Sequence, residues 1–199
     1  MVSTPFHRLN ERYKFILASQ SPRRQMLLKE MGLQFSVFSK DIDEAFPPEL
    51  KREEIPLYLS KLKARVHSEG IDDNTIVIAA DTIVWINHRA LNKPANEAEA
   101  KEMLKELSGK MHEVATAVTI CSNKKSKSFF ALTNVYFKTL SDEEINYYVS
   151  TYKPLDKAGA YGAQEWIGYI AVEKIEGSYF NVMGLPVKEL YEELLAFLK

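Results

Sequence analysis

Two serines and two neighbouring arginines lie close together near the start of the chain, in the sequence SQSPRR at residues 19–24. The apolar run before them predicts a strand, and serine followed by proline is typical of a helix start. Arginines are unfavourable in a first helical turn, because unpaired N–H groups and the helix dipole make that end positive. They become favourable when guanidinium groups, hydroxyls and N–H groups bind an anion such as phosphate. The candidates are Ser19, Ser21, Arg23 and Arg24, and the alternative is a capped helix with solvated arginines.

A carboxylate interrupts the most strand-like segment of the chain, residues 75–85. The continuous apolar character of this segment predicts a strand buried on both faces, as at the centre of an α/β sheet. Asp81 and Thr82 are the polar exceptions inside it. A buried carboxylate is costly unless it is paired, protonated or bound to a metal, so Asp81 is a functional candidate. Alternatively, the strand ends at Ala80 and Asp81 caps the following turn.

An acidic loop is predicted at residues 40–48, where a short strand at 35–39 gives way to charged residues and two prolines. Asp41, Asp43 and Glu44 place three carboxylates within four positions. Such a cluster could hold a metal ion, and it could equally form a solvated acidic turn.

A helix is predicted at residues 55–68, with Leu59, Leu62 and Val66 spaced to form one apolar stripe. Lys63 lies next to this stripe. Its ammonium group could face an anion in a site or extend into water, which is the commoner position for a lysine.

Two glycine-containing segments follow in the second half of the chain, at residues 154–164 and 177–186. Small residues in the first allow a ligand to approach the backbone, while Lys157 and Gln164 supply hydrogen-bond donors. The second leads into a final helix, for which Pro186 suits the first turn.

Other segments predict the elements that must position these residues. Two β-rich runs, 114–121 and 129–138, are joined by a polar turn and predict a long antiparallel hairpin. Asn96 and Ser141 are each followed three residues later by glutamate, which is the spacing of a capping box at a helix start. A further strand is expected at residues 166–172.

The composition limits the possible classes of protein. A chain of 199 residues with 46% hydrophobic and 27% charged residues can form an ordinary globular domain, which excludes disordered and fibrous classes. A net charge of -1 argues against charge-driven binding to nucleic acids or membranes. The single cysteine, Cys121, excludes an internal disulfide and favours a cytoplasmic location. Residues 1–14 are expected to be a loosely ordered lead-in, without a signal peptide or membrane span, to one domain at 15–199.

Several of these motifs, taken in order, resemble those of the Maf-like nucleotide pyrophosphatases. Each motif is short, but together they extend over most of the chain. They are LASQSPRR at 17–24, DE at 43–44, KA at 63–64, AADT at 79–82, KP at 93–94, DKAGAYGAQ at 156–164 and GSYFNVMGLP at 177–186.

The resemblance implies an α/β fold, in which an elongated mixed β-sheet is flanked by helices and two lobes surround a central cleft, as in inosine triphosphatases. It implies cleavage of a nucleoside triphosphate between its α and β phosphates, which gives the monophosphate and pyrophosphate. A divalent metal cation, Mg²⁺ or Mn²⁺, is the implied cofactor.

Matching positions imply roles for individual residues. Asp81 corresponds to the general base, and Glu44 joins it at the metal. The family's phosphate-binding cations correspond to Arg23, Arg24, Lys63 and Lys93. The positions that the family links to substrate preference correspond to Arg23, Thr82 and Gln164. This agrees with physical expectation, since Mg²⁺ takes one or two protein carboxylates and cations stabilise charge on a leaving pyrophosphate.

The segments at 156–164 and 177–186 resemble the branch that acts on dTTP and UTP, which implies a house-cleaning hydrolase that could extend to modified pyrimidine nucleotides. A 7-methyl-GTP pyrophosphatase and a non-catalytic nucleotide-binding regulator of growth or division are the alternatives. Two departures are visible, Gln20 and Glu165, where glycine is frequent in the family. The expected partner is the nucleotide, with no nucleic acid or membrane, and a homodimer is plausible because two-fold dimers are common.

Overall fold

One mixed sheet of seven strands carries the fold, which the computed structural model describes over residues 6–199. The strands are β1 (Lys14–Leu17), β2 (Phe35–Val37), β3 (Thr75–Ile86), β4 (Arg89–Leu91), β5 (Met111–Cys121), β6 (Ser126–Phe137) and β7 (Val172–Glu176). Their order is β2–β1–β3–β5–β6–β7, and β4 pairs with the end of β3. β1 runs parallel to β2 and β3, whereas the other pairs are antiparallel.

Helices flank this sheet, so the mixed α/β class expected from the sequence is confirmed. They are α1 (His7–Arg12), α2 (Pro22–Glu30), α3 (Glu54–Ser68), α4 (Glu97–Leu107), α5 (Asp142–Tyr152), α6 (Trp166–Ala171), α7 (Tyr179–Val182) and α8 (Val187–Phe197), with a 3₁₀ turn at Ala158–Ala160. Across residues 6–199, no helix combines the length and apolar character needed to cross a membrane.

The central strand β3 continues through Asp81 and Thr82, so the alternative in which it ended at Ala80 is wrong. It is almost completely buried, and its pairing with β5 sets Asp81 opposite Ala117 and Thr82 opposite Thr116. The predicted strand and the predicted hairpin formed by β5 and β6 are both confirmed.

The two faces of β3 are covered differently, because alternate residues of a strand point to opposite sides of the sheet. On one face, Ile76, Ile78 and Ala80 pack in a hydrophobic cluster with α2 and α8. Farther along the same face, Val84 and Ile86 pack in a second cluster with α4, α5 and α6. Thr82 lies between these two clusters, so a gap between the covering helices falls at this residue.

The opposite face of β3 is covered by α3. Ala79 packs near Ala64 of this helix, and Ile83 packs near Ile55 and Leu59. Asp81 is the intervening residue on this face of the strand, and it therefore meets α3 between the two apolar contacts.

The segment after the 3₁₀ turn corrects one prediction. Residues 166–172 were expected to form a strand, but α6 ends at Ala171 and β7 begins only at Val172. A short apolar run fits either period, and here Ile167 and Ala171 are buried four residues apart while Tyr169 is 78% exposed, which is the helical pattern. A Cβ at Gly168 would lie 1.9 Å from the carbonyl oxygen of Ala163, so glycine permits this close turn.

Part of the expected lead-in belongs to the folded structure. Phe6 is buried, and its ring packs edge-on against Tyr191 of α8 with 5.3 Å between centroids. The helix α1 follows directly. Residues 1–5 of the predicted lead-in lie outside the described part of the chain.

A buried histidine on β5 connects the sheet to the segment that precedes α6. The Nε2 atom of His112 lies 2.8 Å from the hydroxyl oxygen of Tyr161, and its ring packs edge-on against Phe137. Burial lowers the pKa of His112 to about 3, because the charged imidazolium would lose its hydration. His112 is therefore neutral in the folded protein at physiological pH.

This burial predicts a loss of stability in acid. In the unfolded chain, His112 binds a proton once the pH falls below its ordinary pKa of 6.5. In the folded protein, it stays unprotonated down to about pH 3. The unfolding free energy should therefore fall by up to about 1.4 kcal/mol per pH unit across this interval. Urea denaturation at pH 7.5 and pH 5 should show a smaller pH effect for His112→Gln than for the parent protein. An equal pH effect in both proteins would contradict the prediction.

Candidate active site

A cleft of about 630 Å³ lies at the edge of β3 between the end of its pairing with β1 at Ile78 and the start of its pairing with β4 at Val84. Its walls come from the β1–α2 connection, the acidic loop, α3, the middle of β3 and the segment at 156–164. Every residue predicted for the site lines this one cleft: Ser19, Ser21, Arg23, Arg24, Glu44, Lys63, Asp81, Thr82, Lys93 and Gln164.

Two carboxylates and two ammonium groups alternate along one wall of the cleft. The Nζ atom of Lys63 lies 2.6 Å from Oδ1 of Asp81 and 2.8 Å from Oε1 of Glu44. The other carboxylate oxygen of Glu44 lies 3.6 Å from Nζ of Lys93. Lys63 therefore compensates the charge of Asp81 and connects the strand to the acidic loop.

The position of Lys63 corrects the predicted stripe of α3. The buried face of the helix contains Leu59 but then continues through Ser60, Lys63 and His67, not through Leu62 and Val66. Only 9% of Lys63 is exposed, so its ammonium group does not extend into water. The sequence could not distinguish the two stripes, because the polar one becomes favourable only when Asp81 lies opposite it.

The pKa values of the Asp81 and Glu44 carboxylates are shifted in opposite directions. Burial raises the pKa of Asp81 above its ordinary value, while Lys63 and Arg24 act against this rise. At Glu44, burial also acts to raise the pKa, but Lys63 and Lys93 together hold it below its ordinary value. Glu44 is thus the more acidic group, and Asp81 is the better proton acceptor of the two.

Arg24 is held on three sides by protein oxygens. Its Nε atom donates to the carbonyl of Gly184 at 2.9 Å, and its two terminal nitrogens donate to Ser19 Oγ at 3.1 Å and Thr82 Oγ1 at 3.0 Å. Burial lowers its pKa, although Asp81 acts against this change. The guanidinium group therefore has a fixed orientation between α2, β3 and the turn before α8.

The Thr82 hydroxyl is oriented by the groups around it. Thr116 Oγ1 donates to the backbone carbonyl of Asn181 at 3.0 Å, so its single proton is already used. The 3.0 Å contact between Thr82 and Thr116 must therefore be a donation from Thr82. Thr82 accepts from Arg24 and donates to Thr116, which fixes both sides of its oxygen.

The first turn of α2 differs in detail from the prediction. Ser21 occupies the capping position, but its hydroxyl makes no capping hydrogen bond within residues 6–199. Its backbone N–H donates instead to Ser19 Oγ at 3.3 Å. Arg23 donates to the carboxylate of Asp156 at 2.8 Å, so this guanidinium group is not simply solvated.

A second buried ion-pair network was missed by sequence reasoning. Lys157 is only 7% exposed, and its ammonium nitrogen lies 2.6 Å from Asp156 Oδ1 and 3.1 Å from Glu165 Oε1. The Tyr148 hydroxyl donates to the other oxygen of Glu165 and accepts from the N–H of Gly162. Glu165 thus compensates the buried Lys157, which explains an acidic residue at this position.

The same segment presents Gln164 to the cleft. A Cβ at Gly162 would lie 2.8 Å from Gln164 Nε2 and 3.1 Å from Glu165 Oε2, so glycine lets both side chains fold across it. Gln164 Oε1 is buried and has no hydrogen-bond partner within residues 6–199. Because Gln164 also lines the cleft, a rotation of its amide would present this unpaired acceptor to a ligand.

The carboxylates of Glu44 and Asp81 fit a metal ion that takes most of its ligands from phosphate and water. Within the described residues, no group of three or more histidine, cysteine or acidic side chains is arranged to hold a metal. Asp43 accepts from the N–H of Ala45 in its own loop, whereas Glu44 and Asp81 contact the same ammonium nitrogen. Two adjacent carboxylates suit Mg²⁺, which completes its shell with phosphate oxygens and water.

A cleft that combines convergent cations with two carboxylates, on a mixed sheet flanked by helices, defines a class of protein that binds polyphosphates. The family model described as "Maf-like protein" matches residues 14–197. The chain belongs to the Maf-like family, which confirms the resemblance found in the sequence motifs.

Two curated relatives are each named dTTP/UTP pyrophosphatase. The protein from Cytophaga hutchinsonii is 52% identical over 179 residues, which cover 90% of this chain and 82% of the relative. The protein from Phocaeicola vulgatus is 52% identical over 185 residues, which cover 92% of this chain and 96% of the relative.

The fold is also found in solved structures. A HAM1 protein from Coxiella burnetii superposes with a TM-score of 0.53 at 15% sequence identity, and the match covers 92% of this chain and 99% of that protein. This likeness concerns the fold alone.

The network around Lys157 predicts a stability cost for Glu165→Gly, which introduces the residue frequent in the family. This change leaves the buried Lys157 with Asp156 alone and removes the acceptor of the Tyr148 hydroxyl. The unfolding free energy should fall by roughly 2–3 kcal/mol in urea denaturation. Glu165→Gln keeps the shape and a hydrogen-bond acceptor, so its loss should be smaller. A Glu165→Gly protein within about 0.5 kcal/mol of the parent, the usual range of a neutral surface change, would contradict this role.

Proposed function

We propose that this protein hydrolyses dTTP and UTP to the nucleoside monophosphate and pyrophosphate. The observation that carries the proposal is the alternation of Asp81, Lys63, Glu44 and Lys93 along one wall of the cleft that also contains Arg23 and Arg24. The names of the two relatives that are 52% identical supply the substrates. House-cleaning of the nucleotide pool, including modified pyrimidine nucleotides, is the proposed role.

The cations provide the phosphate-binding part of the site. Cleavage between the α and β phosphates places additional charge on the departing pyrophosphate, so the site needs positive groups where that charge develops. Arg23, Arg24, Lys63 and Lys93 supply these groups, and Ser19 and Ser21 add hydroxyls beside them. Three of the five N–H groups of Arg24 make the bonds that orient it, and the other two remain to donate to phosphate.

Asp81 is the proposed general base. Its burial makes it a stronger proton acceptor than an exposed aspartate, and Lys63 preserves its charged form. In this role, its carboxylate orients the attacking water and takes a proton from it. Glu44 and Asp81 would hold a divalent cation, Mg²⁺ or Mn²⁺, which would neutralise phosphate charge when bound. This proposal also explains why a carboxylate stands in a phosphate-binding cleft.

Gln164 is the proposed reader of the pyrimidine base. Its amide carries both a donor and an acceptor, and a rotation that exposes the unpaired Oε1 would let it accept from the N3–H of uracil or thymine. Thr82 and Arg23 lie in the same cleft, and their proposed contribution to substrate preference is to define its shape beside the nucleotide.

We further propose that residues 15–199, together with residues 6–14 that pack against them, act as one catalytic domain in the cytoplasm, as a homodimer. The continuous sheet order from β2 to β7 supports one domain, and the single Cys121 suits a reducing compartment. Two-fold dimers are the commonest assemblies of soluble proteins, and light scattering measures the state directly.

The direct test measures pyrophosphate release from dTTP, UTP, CTP, GTP and 7-methyl-GTP, with and without Mg²⁺. Rapid, metal-dependent release from dTTP and UTP is expected. Asp81→Asn should keep the fold, as judged by circular dichroism, and lose roughly two or more orders of magnitude in turnover, which is the usual scale for a general base. Near-normal turnover of a folded Asp81→Asn protein would remove Asp81 from that role.

The other outcomes of this assay separate the competing functions. Selective cleavage of 7-methyl-GTP would retain the mechanism and overturn the proposed base preference. Binding of all five triphosphates without cleavage of any would favour a nucleotide-binding regulator.

A substitution at Gln164 tests how the base is recognised. Gln164→Ala removes the amide, and the ratio of kcat/KM for dTTP to that for GTP should fall by roughly tenfold or more, because a hydrogen-bonding site discriminates strongly against the wrong edge. Gln164→Glu is the isosteric control, which keeps an acceptor and removes the NH₂ donor. An unchanged dTTP preference in Gln164→Ala would exclude Gln164 as the reader.

A further inference from the structure

His67 lies on α3 one turn after Lys63 and is only 4% exposed. Its Nε2 atom lies 2.8 Å from the backbone nitrogen of Lys40, and Nδ1 lies 2.6 Å from the carbonyl oxygen of Lys63. An amide N–H can only donate, so Nε2 is the acceptor, and Nδ1 carries the proton and donates to Lys63. The edge of the Phe38 ring packs against the imidazole with 5.6 Å between centroids. The ring is therefore a single neutral tautomer with both nitrogens engaged.

The acidic loop is fixed at two places, and Glu44 lies between them. Toward its beginning, the backbone N–H of Lys40 is bound by His67. Toward its end, Phe46 packs against the hydrophobic cluster that α3 forms with β3. The position of the Glu44 carboxylate thus depends on both attachments.

The contacts of Lys63 close a ring of interactions through this loop. Its ammonium group binds Glu44 at 2.8 Å, and its own carbonyl accepts from His67, which binds the loop backbone at Lys40. Residues four apart lie on the same side of a helix, so Lys63 and His67 face the loop together. A displacement of the loop at Lys40 would therefore change the distance between Glu44 and Lys63.

We propose that His67 is a positioning residue, which places Glu44 beside Lys63 and Asp81 by accepting the Lys40 N–H. The proposal rests on the proposed function, in which Glu44 would help to hold the metal ion. His67 and Lys40 also line the cleft. In this proposal His67 acts through the acidic loop and not by contact with the reacting atoms. Groups of this kind that orient metal ligands commonly change metal affinity or activity by 10–100-fold when they are replaced.

Three variants separate this role from simple packing. His67→Phe fills the volume without an acceptor, and His67→Gln retains one. Lys40→Ala removes the contact of its ammonium group with the Val66 carbonyl but keeps the backbone N–H that His67 binds. The measurements are the Mg²⁺ concentration for half-maximal pyrophosphate release and the separate values of kcat and KM.

His67→Phe should raise the half-saturating Mg²⁺ concentration about tenfold or more, on the scale typical of such groups. His67→Gln should recover part of this loss. Lys40→Ala removes a cation that lines the cleft but keeps the N–H, so its effect should be clearly smaller than that of His67→Phe. A folded His67→Phe protein with unchanged Mg²⁺ dependence would overturn the proposal. An effect of Lys40→Ala equal to that of His67→Phe would also overturn it, because the lysine side chain would then be the important group.

A spectroscopic test does not depend on activity. The chain has 4 histidines, so a long-range ¹⁵N–¹H spectrum of histidine-labelled protein can be assigned by the loss of one ring in His67→Gln. The expected result at pH 8 is a neutral His67 with its proton on Nδ1. A proton on Nε2 would exclude acceptance from Lys40 and overturn the inference. If the parent protein released no pyrophosphate while this tautomer was present, the proposed function would fail and the attachment of the loop would stand.

Discussion

The ion pair between Asp81 and Lys63 is the constraint on which the rest of the site depends. A carboxylate in the middle of a strand buried on both faces is costly, and an ammonium group within 2.6 Å makes that position tolerable. This requirement turns Lys63 of α3 toward β3, between the apolar contacts that Ala64 makes on one side and Ile55 and Leu59 make on the other. The same ammonium group then reaches Glu44, so the acidic loop is connected to the central strand.

The cleft lies at an unpaired edge of β3, because β1 pairs with this strand only as far as Ile78 and β4 only from Val84. Both faces of the strand therefore border the cleft. One group of helices packs on the first half of β3 and another on its second half, and Thr82 lies where they separate. Arg24 of α2 connects the first group to the strand at this point, because it donates to Thr82 of β3 and to Gly184 in the turn before α8. A protein with a net charge of -1 thereby concentrates positive charge at one position suited to a polyphosphate.

Most of the regular structure could be predicted, because its causes are local. The period of β3, the hairpin of β5 and β6 and the capping box at Ser141 follow from residues near each other in the chain. The failures have different causes. The short apolar run at 166–172 fits a helical period as well as a strand period, and it forms α6 with Gly168 close to Ala163. The stripe of α3 changed because Asp81, which is distant in the sequence, lies opposite it.

The sequence by itself determined the chemical inventory of this protein: the serines and arginines before α2, a carboxylate inside an apolar strand, and the ordered motifs that mark the Maf-like family. Only the tertiary structure decided that these residues line one cleft, that Glu44 is the acidic-loop residue that meets Lys63, and that Glu165 and Tyr148 surround the buried Lys157. It also gave His67 its hydrogen bonds to Lys63 and Lys40. The reason is physical: local sequence sets backbone preferences, whereas burial and charge compensation depend on partners that meet only after the chain has folded.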